Sequence, residues 1–298
     1  MPDYSSLKTK FAERCRFSEP AENFTTYRAG GRAEVLVKPA DAGELLWLAG
    51  WCRANSAPLL VLGRGSNVLV SDKGLPGVTA LTEKLSKIEV SGTAVTAQAG
   101  ALWDEVARLS AESGLAGSEK TSGIPGSVGG ALRMNAGAFG QETFDHLVSL
   151  EAFNAAGEAV KLPKKDISFG YRRAAGLDGL VLLSAVFEFE RGDRAALIQD
   201  RSCVLAAREV KQPLDFPSAG SVFKRPPGDY ASRLIDASGL KGRRIGGAEV
   251  SAKHAGFIIN SGGATAADIY ALMGEVRAAV KEKTGVVLEL EQILLGEF

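Results

Sequence analysis

Residues 122–140 read SGIPGSVGGALRMNAGAFG, with six glycines in nineteen positions and mostly small side chains between them. Glycine loses more backbone freedom on folding than any other residue, so a run this dense weakens helix and strand alike. A folded chain tolerates it where a ligand lies against the main chain, or where the backbone turns through conformations that a Cβ would block. GIPGSVGG offers four glycines stiffened by Pro125, and MNAGAFG follows three residues later. Two backbone cradles this close together suit the two phosphates of a dinucleotide. The candidate contacts are Gly123, Ile124, Pro125, Gly126, Ser127, Gly129, Gly130, Asn135 and Gly137. Close packing of two backbones at a domain junction fits the same pattern.

A second stretch, LGRGSNVLVSD at 62–72, sets Gly63 and Gly65 around Arg64, with Ser66 and Asn67 next. Between two expected strands, the N–H groups of such a turn can form an anion-binding nest, reinforced by the Arg64 guanidinium or the Ser66 hydroxyl. No helix and no GK[ST] follows, so it is neither a Rossmann fingerprint nor a P-loop. A tight hairpin whose Gly and Asn supply positive φ accounts for the same residues. Together the two stretches point to a dinucleotide cofactor outside the Rossmann scaffold.

Composition narrows the class. Lys+Arg and Asp+Glu balance at 35 each in 298 residues, which argues against a general nucleic-acid or membrane-surface binder. Apolar content of 45% is ordinary for a globular protein, whereas 35 glycines are an excess that needs a reason. Cys15, Cys52 and Cys203 are odd in number, far apart and form no CxxC, so reduced thiols in a cytoplasmic compartment are expected, with no disulfide framework and no metal site. His146 and His254 are too few for a typical histidine metal site. The N-terminus has no apolar core of a signal peptide, and runs such as GLVLLSAVF are too short to span a bilayer.

The periodicity predicts an α+β chain. AEVLVKPA reads as a strand, and Asp41 caps a helix with Glu44 completing a capping box. PLLVLG and VLVSD read as strands, and this first unit ends near residue 80. Residues 87–99 read as a hairpin turning at Gly92, LWDEVARLSAESG as a helix ending at Gly114, and LVSLEAFNAAGEAVKLP as a second hairpin. GLVLLSAVFEFERG reads as one long strand, 193–210 as a helix, and KQPLDFPSAG as a linker. The last unit holds the helix DYASRLIDASG, the strand AGFIINSG, a long helix capped by Thr265, and the strand VVLELEQILLG. The expected domains are therefore 1–80, 81–211 and 212–298.

Polar candidates in the C-terminal half are sparser. SFGYRR sets Tyr171 beside Arg172 and Arg173, and SAGSVFKRP places Ser221 after a glycine and before Lys224 and Arg225. LELEQ alternates, so Glu289 and Glu291 share one strand face, about 7 Å apart. A solvated face, a structural serine and a structural His254 are the alternatives. The residues by themselves lead to a dinucleotide binder with a cationic pocket.

Seven stretches carry a resemblance: TTYRAGGRAE, LGRGSNVLVSD, GIPGSVGGALRMNAGAFG, SFGYRR, AGSVFKRP, GLKGRRIGGAEVSAKHAGFIIN and LELEQILLG. In this order, from about residue 20 to 296, they resemble the UDP-N-acetylenolpyruvoylglucosamine reductase family, in its shorter subtype. The resemblance implies a two-part FAD-binding unit of the vanillyl-alcohol-oxidase type, followed by a C-terminal α+β substrate domain. It implies FAD as cofactor. Some relatives in that wider group tether flavin through a histidine near the first glycine turn. Asn67 stands here, so non-covalent FAD is implied.

The implied reaction is reduction of the enolpyruvyl UDP-sugar to UDP-N-acetylmuramate, at a CH–CH bond, in peptidoglycan precursor synthesis. NADPH is the implied hydride donor and shares one pocket with the sugar nucleotide, with no nucleic acid, membrane or obligate protein partner. Arg172, Ser221 and Glu291 match the family's catalytic positions, Ser221 as proton donor. Tyr171, Lys224 and Lys241 match positions near the substrate. Gln292 departs from the aliphatic residue expected after Glu291, and Arg225 stands where the longer subtype has Asn. The alternatives are another FAD-dependent oxidase or dehydrogenase of the same group, and a non-catalytic flavin- or nucleotide-binding module.

Overall fold

Local alternation builds the main sheet. In AVTAQ, Val95 and Ala97 are buried while their neighbours are partly exposed, as a strand with one covered face requires. The computed structural model describes residues Pro2–Phe298. The chain forms two compact units: one of Met1–Arg16, Val35–Arg64 and Gly77–Arg208, the other of Phe17–Glu34, Gly65–Pro76 and Glu209–Phe298.

In the first unit, a five-stranded antiparallel sheet runs in the order Ala159–Pro163, Leu147–Phe153, Val181–Glu188, Ala94–Gln98, Ile88–Ser91. Both expected hairpins form, turning at Gly92 (φ +66°) and Gly157 (φ +87°). The helix Trp103–Glu112 buries Trp103, Val106 and Ala107 over this sheet's core, with the Trp103 ring 5.3 Å edge-on to Phe187. The expected long strand from 180 is interrupted. Its ladder stops at Glu188, and Glu190–Arg191 pair instead with Leu115–Ala116, because buried Phe189 packs against Phe187 and His146 between the two pairings.

A second sheet of the order Cys15–Pro20, Arg32–Val37, Leu75–Leu81, Leu59–Leu62 has its last pair parallel. The helix Ala42–Ala54 buries Leu45, Leu48 and Cys52 in a separate core. Asp41 caps it, accepting from the Glu44 N–H at 2.8 Å. The reciprocal half of the expected capping box is absent. The Glu44 carboxylate accepts from the Ala40 N–H and takes the Arg14 guanidinium at two points. A two-point charged pair outcompetes a single amide, and Arg14 holds the Glu44 carboxyl down at about 2.

The second unit has its own core, including Tyr27, Leu69, Phe223, Leu234, Ile258 and Leu272. Its long helix, Ala266–Thr284, begins with a full Thr265–Asp268 capping box and ends at left-handed Gly285. The Asp72 carboxylate accepts from the N–H groups of Ala266 and Ala267, at 2.9 and 2.8 Å. Three short antiparallel strands, Arg244–Ile245, Ala248–Val250 and Ile258–Asn260, form its sheet, while Val68–Val70 pairs parallel with Ile293–Leu295.

The expected strand VVLELEQILLG is regular only over Ile293–Leu295. Upstream, Glu291 N–H donates to Val222 O at 2.8 Å and Lys224 N–H to Glu289 O at 2.9 Å. That partner segment runs into Pro226 and Pro227, which have no N–H to extend a ladder. The alternation survives: Leu288 and Gln292 are buried and Glu289 is exposed. The fold is α+β, and no described helix is long and apolar enough to cross a membrane.

Candidate active site

The two glycine-rich stretches meet at Gly63. A Cβ there would lie 2.1 Å from the Ser127 hydroxyl, so only glycine permits the approach. A Cβ on Gly129 would lie 3.2 Å from both the Ala99 Cβ and the Ala99 carbonyl oxygen, to which the Gly129 N–H donates at 2.8 Å. At Gly129, glycine therefore serves close packing of one backbone on another. It also leaves donors unclaimed: among the described residues, the N–H groups of Arg64, Gly126 and Ser127 find no acceptor. Ser127 spends its hydroxyl on Gly130 N–H at 3.2 Å.

Residues 62–72 are not a hairpin. Leu59–Leu62 pairs with Leu75–Leu81, whereas Val68–Val70 pairs with Ile293–Leu295. In the second unit, the N–H groups of Gly65, Ser66 and Asn67 also find no acceptor among the described residues. Gly65 has φ +61°, and a Cβ there would lie 2.4 Å from Phe24 O. The Asn67 amide donates to Glu291 O at 3.1 Å.

Three residues outside the expected set shape the start of the long glycine stretch. Asp104 accepts from Gly123 N–H at 2.6 Å and binds Arg201 at two points, 2.7 and 2.9 Å. Burial pushes its carboxyl up, but Arg201 and the Gly123 N–H outweigh this and hold it below the usual range. Arg208 packs on Gly123 and is 9% exposed, and its Nε has no hydrogen-bond partner. The fully buried Ser122 hydroxyl is unpartnered as well. Buried donors are rarely left so, and a bound diphosphate or flavin carbonyl would satisfy them. The cofactor therefore fits the residues present. Arg208 carried no signal in the sequence beyond its place on an expected helix.

Asn135, fully buried at φ +38°, has its side chain committed to protein groups. It donates to Glu142 and to Gly170 O and accepts from Phe144 N–H. Gly137 O accepts from Arg172 at 2.9 Å. Arg172 has φ +52°, in a two-residue turn closed by the Gly170–Arg173 pair, with its guanidinium 5.0 Å from the Tyr171 ring centroid. A left-handed non-glycine residue costs of order 1 kcal/mol and concentrates at functional sites.

In the second unit, Ser221 follows left-handed Gly220 and bridges to Phe257. The neighbouring Glu291–Val222 bond sets Glu291 beside the same segment. Lys224 pairs with Glu289, and Lys241 with Asp236 at 2.7 Å. His254 is structural: its Nδ1 accepts from Gly256 N–H at 3.1 Å, and burial, with Lys241 nearby, lowers its pKa.

Residues 33–163 match an FAD binding domain, and residues 212–295 match the UDP-N-acetylenolpyruvoylglucosamine reductase C-terminal domain. The reductase of that name from Lactococcus lactis subsp. cremoris (strain SK11) is 44% identical over 283 residues, 95% of each chain. The chain belongs to the UDP-N-acetylenolpyruvoylglucosamine reductase family. The Listeria monocytogenes (strain EGD-e) reductase is 41% identical over 98% of this chain and 99% of that one. The crystal structure of the Thermus caldophilus reductase aligns with a TM-score of 0.81 at 34% identity, over 95% of this chain and 98% of that one. Alkyldihydroxyacetonephosphate synthase shares the fold alone, at a TM-score of 0.50 and 15% identity over 63% of this chain. The family is one of flavoprotein oxidoreductases in peptidoglycan precursor synthesis, and the two-part FAD-binding unit with its C-terminal α+β domain is its fold.

Proposed function

We propose that the protein reduces UDP-N-acetylglucosamine enolpyruvate to UDP-N-acetylmuramate with NADPH as the electron source. The 44% identity over 95% of both chains carries this reading. FAD, bound without a covalent tether, would supply the hydride-transfer chemistry that links NADPH to the terminal enolpyruvyl carbon. Gly63, Arg64, Gly65, Ser66 and Asn67, with Gly123, Ile124, Pro125, Gly126, Ser127, Gly129, Gly130, Asn135 and Gly137, would hold it. The unclaimed N–H groups and the unpartnered Arg208 and Ser122 groups support that assignment. The proposed division of labour is FAD binding by 1–80 and 81–211 and substrate binding by 212–298.

Hydride addition leaves negative charge on the adjacent carbon and its carboxylate. Arg172 would bind that carboxylate at two points and stabilise the charge. Its guanidinium is anchored on Gly137 O and over Tyr171, which limits how much it must reorganise. Ser221 would give its hydroxyl proton to the adjacent carbon, with Glu291 orienting the groups around it. Tyr171, Lys224 and Lys241 would contact the substrate. The lysines sit in exposed pairs worth only about 0–1 kcal/mol, so a substrate anion displaces their partners at little cost.

The test separates two anaerobic half-reactions. NADPH should bleach the flavin, and the enolpyruvyl substrate should restore its colour faster than oxygen does. Faster reoxidation by oxygen would favour an oxidase, and a colourless protein would favour a nucleotide-binding module.

A further inference from the structure

Gln292 stands where an aliphatic residue was expected. It is 4% exposed, and its amide is fully bonded. Its Nε2 donates to Ala219 O at 2.9 Å and to Gly220 O at 3.2 Å, and its Oε1 accepts from the Tyr27 hydroxyl at 2.9 Å. The two carbonyls can only accept, which fixes which end of the amide faces them, and therefore makes Tyr27 the donor. Tyr27 is fully buried, which pushes its hydroxyl pKa up and keeps it protonated. Its own main chain is clamped, because Asn260 donates to Tyr27 O at 3.1 Å.

The two ends of this bridge are informative. Gln292 follows Glu291, whose carbonyl is held by Asn67. The carbonyls it grips belong to the two residues before Ser221, and Gly220 at φ +72° is the most pliable joint in that turn. An aliphatic side chain would fill the same space without burying an amide, whose desolvation opposes folding unless every group is paired. What the amide adds is direction. Fixing the peptides on either side of Gly220 fixes where the Ser221 Cα–Cβ bond points.

We propose that Gln292 and Tyr27 are positioning residues for Ser221: one buried side chain, aligned by one phenol, ties the turn that carries the serine to the segment that carries Glu291. The proposal rests on the reading of Ser221 as proton donor.

The test uses the FAD-loaded full chain and compares Gln292→Leu and Tyr27→Phe, each alone and combined with Ser221→Ala. Misplacement of a reacting group by about an ångström costs up to ~100-fold. Reoxidation by the enolpyruvyl substrate should therefore slow between ~10- and ~100-fold in both single variants, with a larger solvent deuterium isotope effect than in the parent. Flavin content and reduction by NADPH should stay at parental values. In the Ser221→Ala background neither change should slow reoxidation further, because the effect acts through the serine. Tyr27→Phe removes one hydroxyl and keeps the ring, so it carries the test if Gln292→Leu folds poorly. Equal slowing with and without the serine, or parental reoxidation in Tyr27→Phe while Ser221→Ala is crippled, would overturn the proposal. Parental reoxidation in Ser221→Ala would instead overturn the proton-donor reading, and the proposal with it.

Discussion

Ser221, Arg172 and Glu291 each make a separable demand. Ser221→Ala should leave flavin reduction by NADPH near normal and lower turnover with the enolpyruvyl substrate by at least ~10²-fold. Ser221→Cys should retain more activity, since a thiol still donates a proton. Stopped-flow traces of both half-reactions check this, and equal loss in the two would assign Ser221 to flavin positioning. Arg172→Lys should be severe, because lysine keeps the charge but loses the planar two-point fork. Glu291→Gln should lower kcat and kcat/KM together with FAD content unchanged. Glu289 is exposed and paired with Lys224, so Glu289→Gln should shift stability by no more than ~0.5 kcal/mol and leave turnover near parental. A crippled Glu289→Gln beside a normal Glu291→Gln would exchange their roles.

At the scale of the element, the glycine turns carry the cofactor prediction. Gly63→Val drives a branched side chain into the Ser127 hydroxyl, and Gly65→Val combines a left-handed backbone with a clash against Phe24 O. Both variants, and Gly126→Val, should purify with reduced FAD, measured as the ratio of flavin to protein absorbance. Full occupancy in all three would remove these turns from the cofactor site. The long helix offers a control outside the proposed cofactor contacts. Thr265→Ala removes the cap on Ala266–Thr284 and should cost about 1 kcal/mol in urea unfolding, with FAD content unchanged.

For the whole molecule, heat or acid should release all the flavin into solution, since Asn67 stands at the turn where a tethering histidine would be needed. Flavin that stays with the precipitated protein would contradict this. Stability should also depend on pH through His254. Burial lowers its pKa from 6.5, so as pH falls the unfolded chain takes up this proton before the folded chain does. Its contribution is present above pH 6.5, shrinks as pH falls below that value, and levels off once pH passes the depressed folded pKa. His254→Gln keeps an acceptor for Gly256 and should flatten the urea midpoint over that window. An unchanged slope would place the titration elsewhere.

Most elements could be read from contiguous residues, because their determinants are local. Period-two alternation marked the strands, Gly92 and Gly157 the hairpin turns, and Asp41 and Thr265 the helix starts. The glycine density marked residues 122–140 as a place where backbone meets something closely. What lay beyond the sequence is whatever depends on a distant partner. Glu44 left its capping box because Arg14 reached it, and LELEQ lost its ladder because the segment beside it ends in prolines. Arg208 is an ordinary helical arginine until folding buries it against Gly123 with an unpaired Nε. Phe17–Glu34 and Gly65–Pro76 join the unit of the C-terminal ninety residues, although they are remote from it along the chain. Gln292 read only as a departure from an aliphatic residue, and only a contact with Tyr27, 265 residues away, makes it a fully paired amide behind Ser221. Propensity and periodicity are written in neighbouring residues, whereas a buried polar group acquires its meaning from the partners that tertiary folding brings to it.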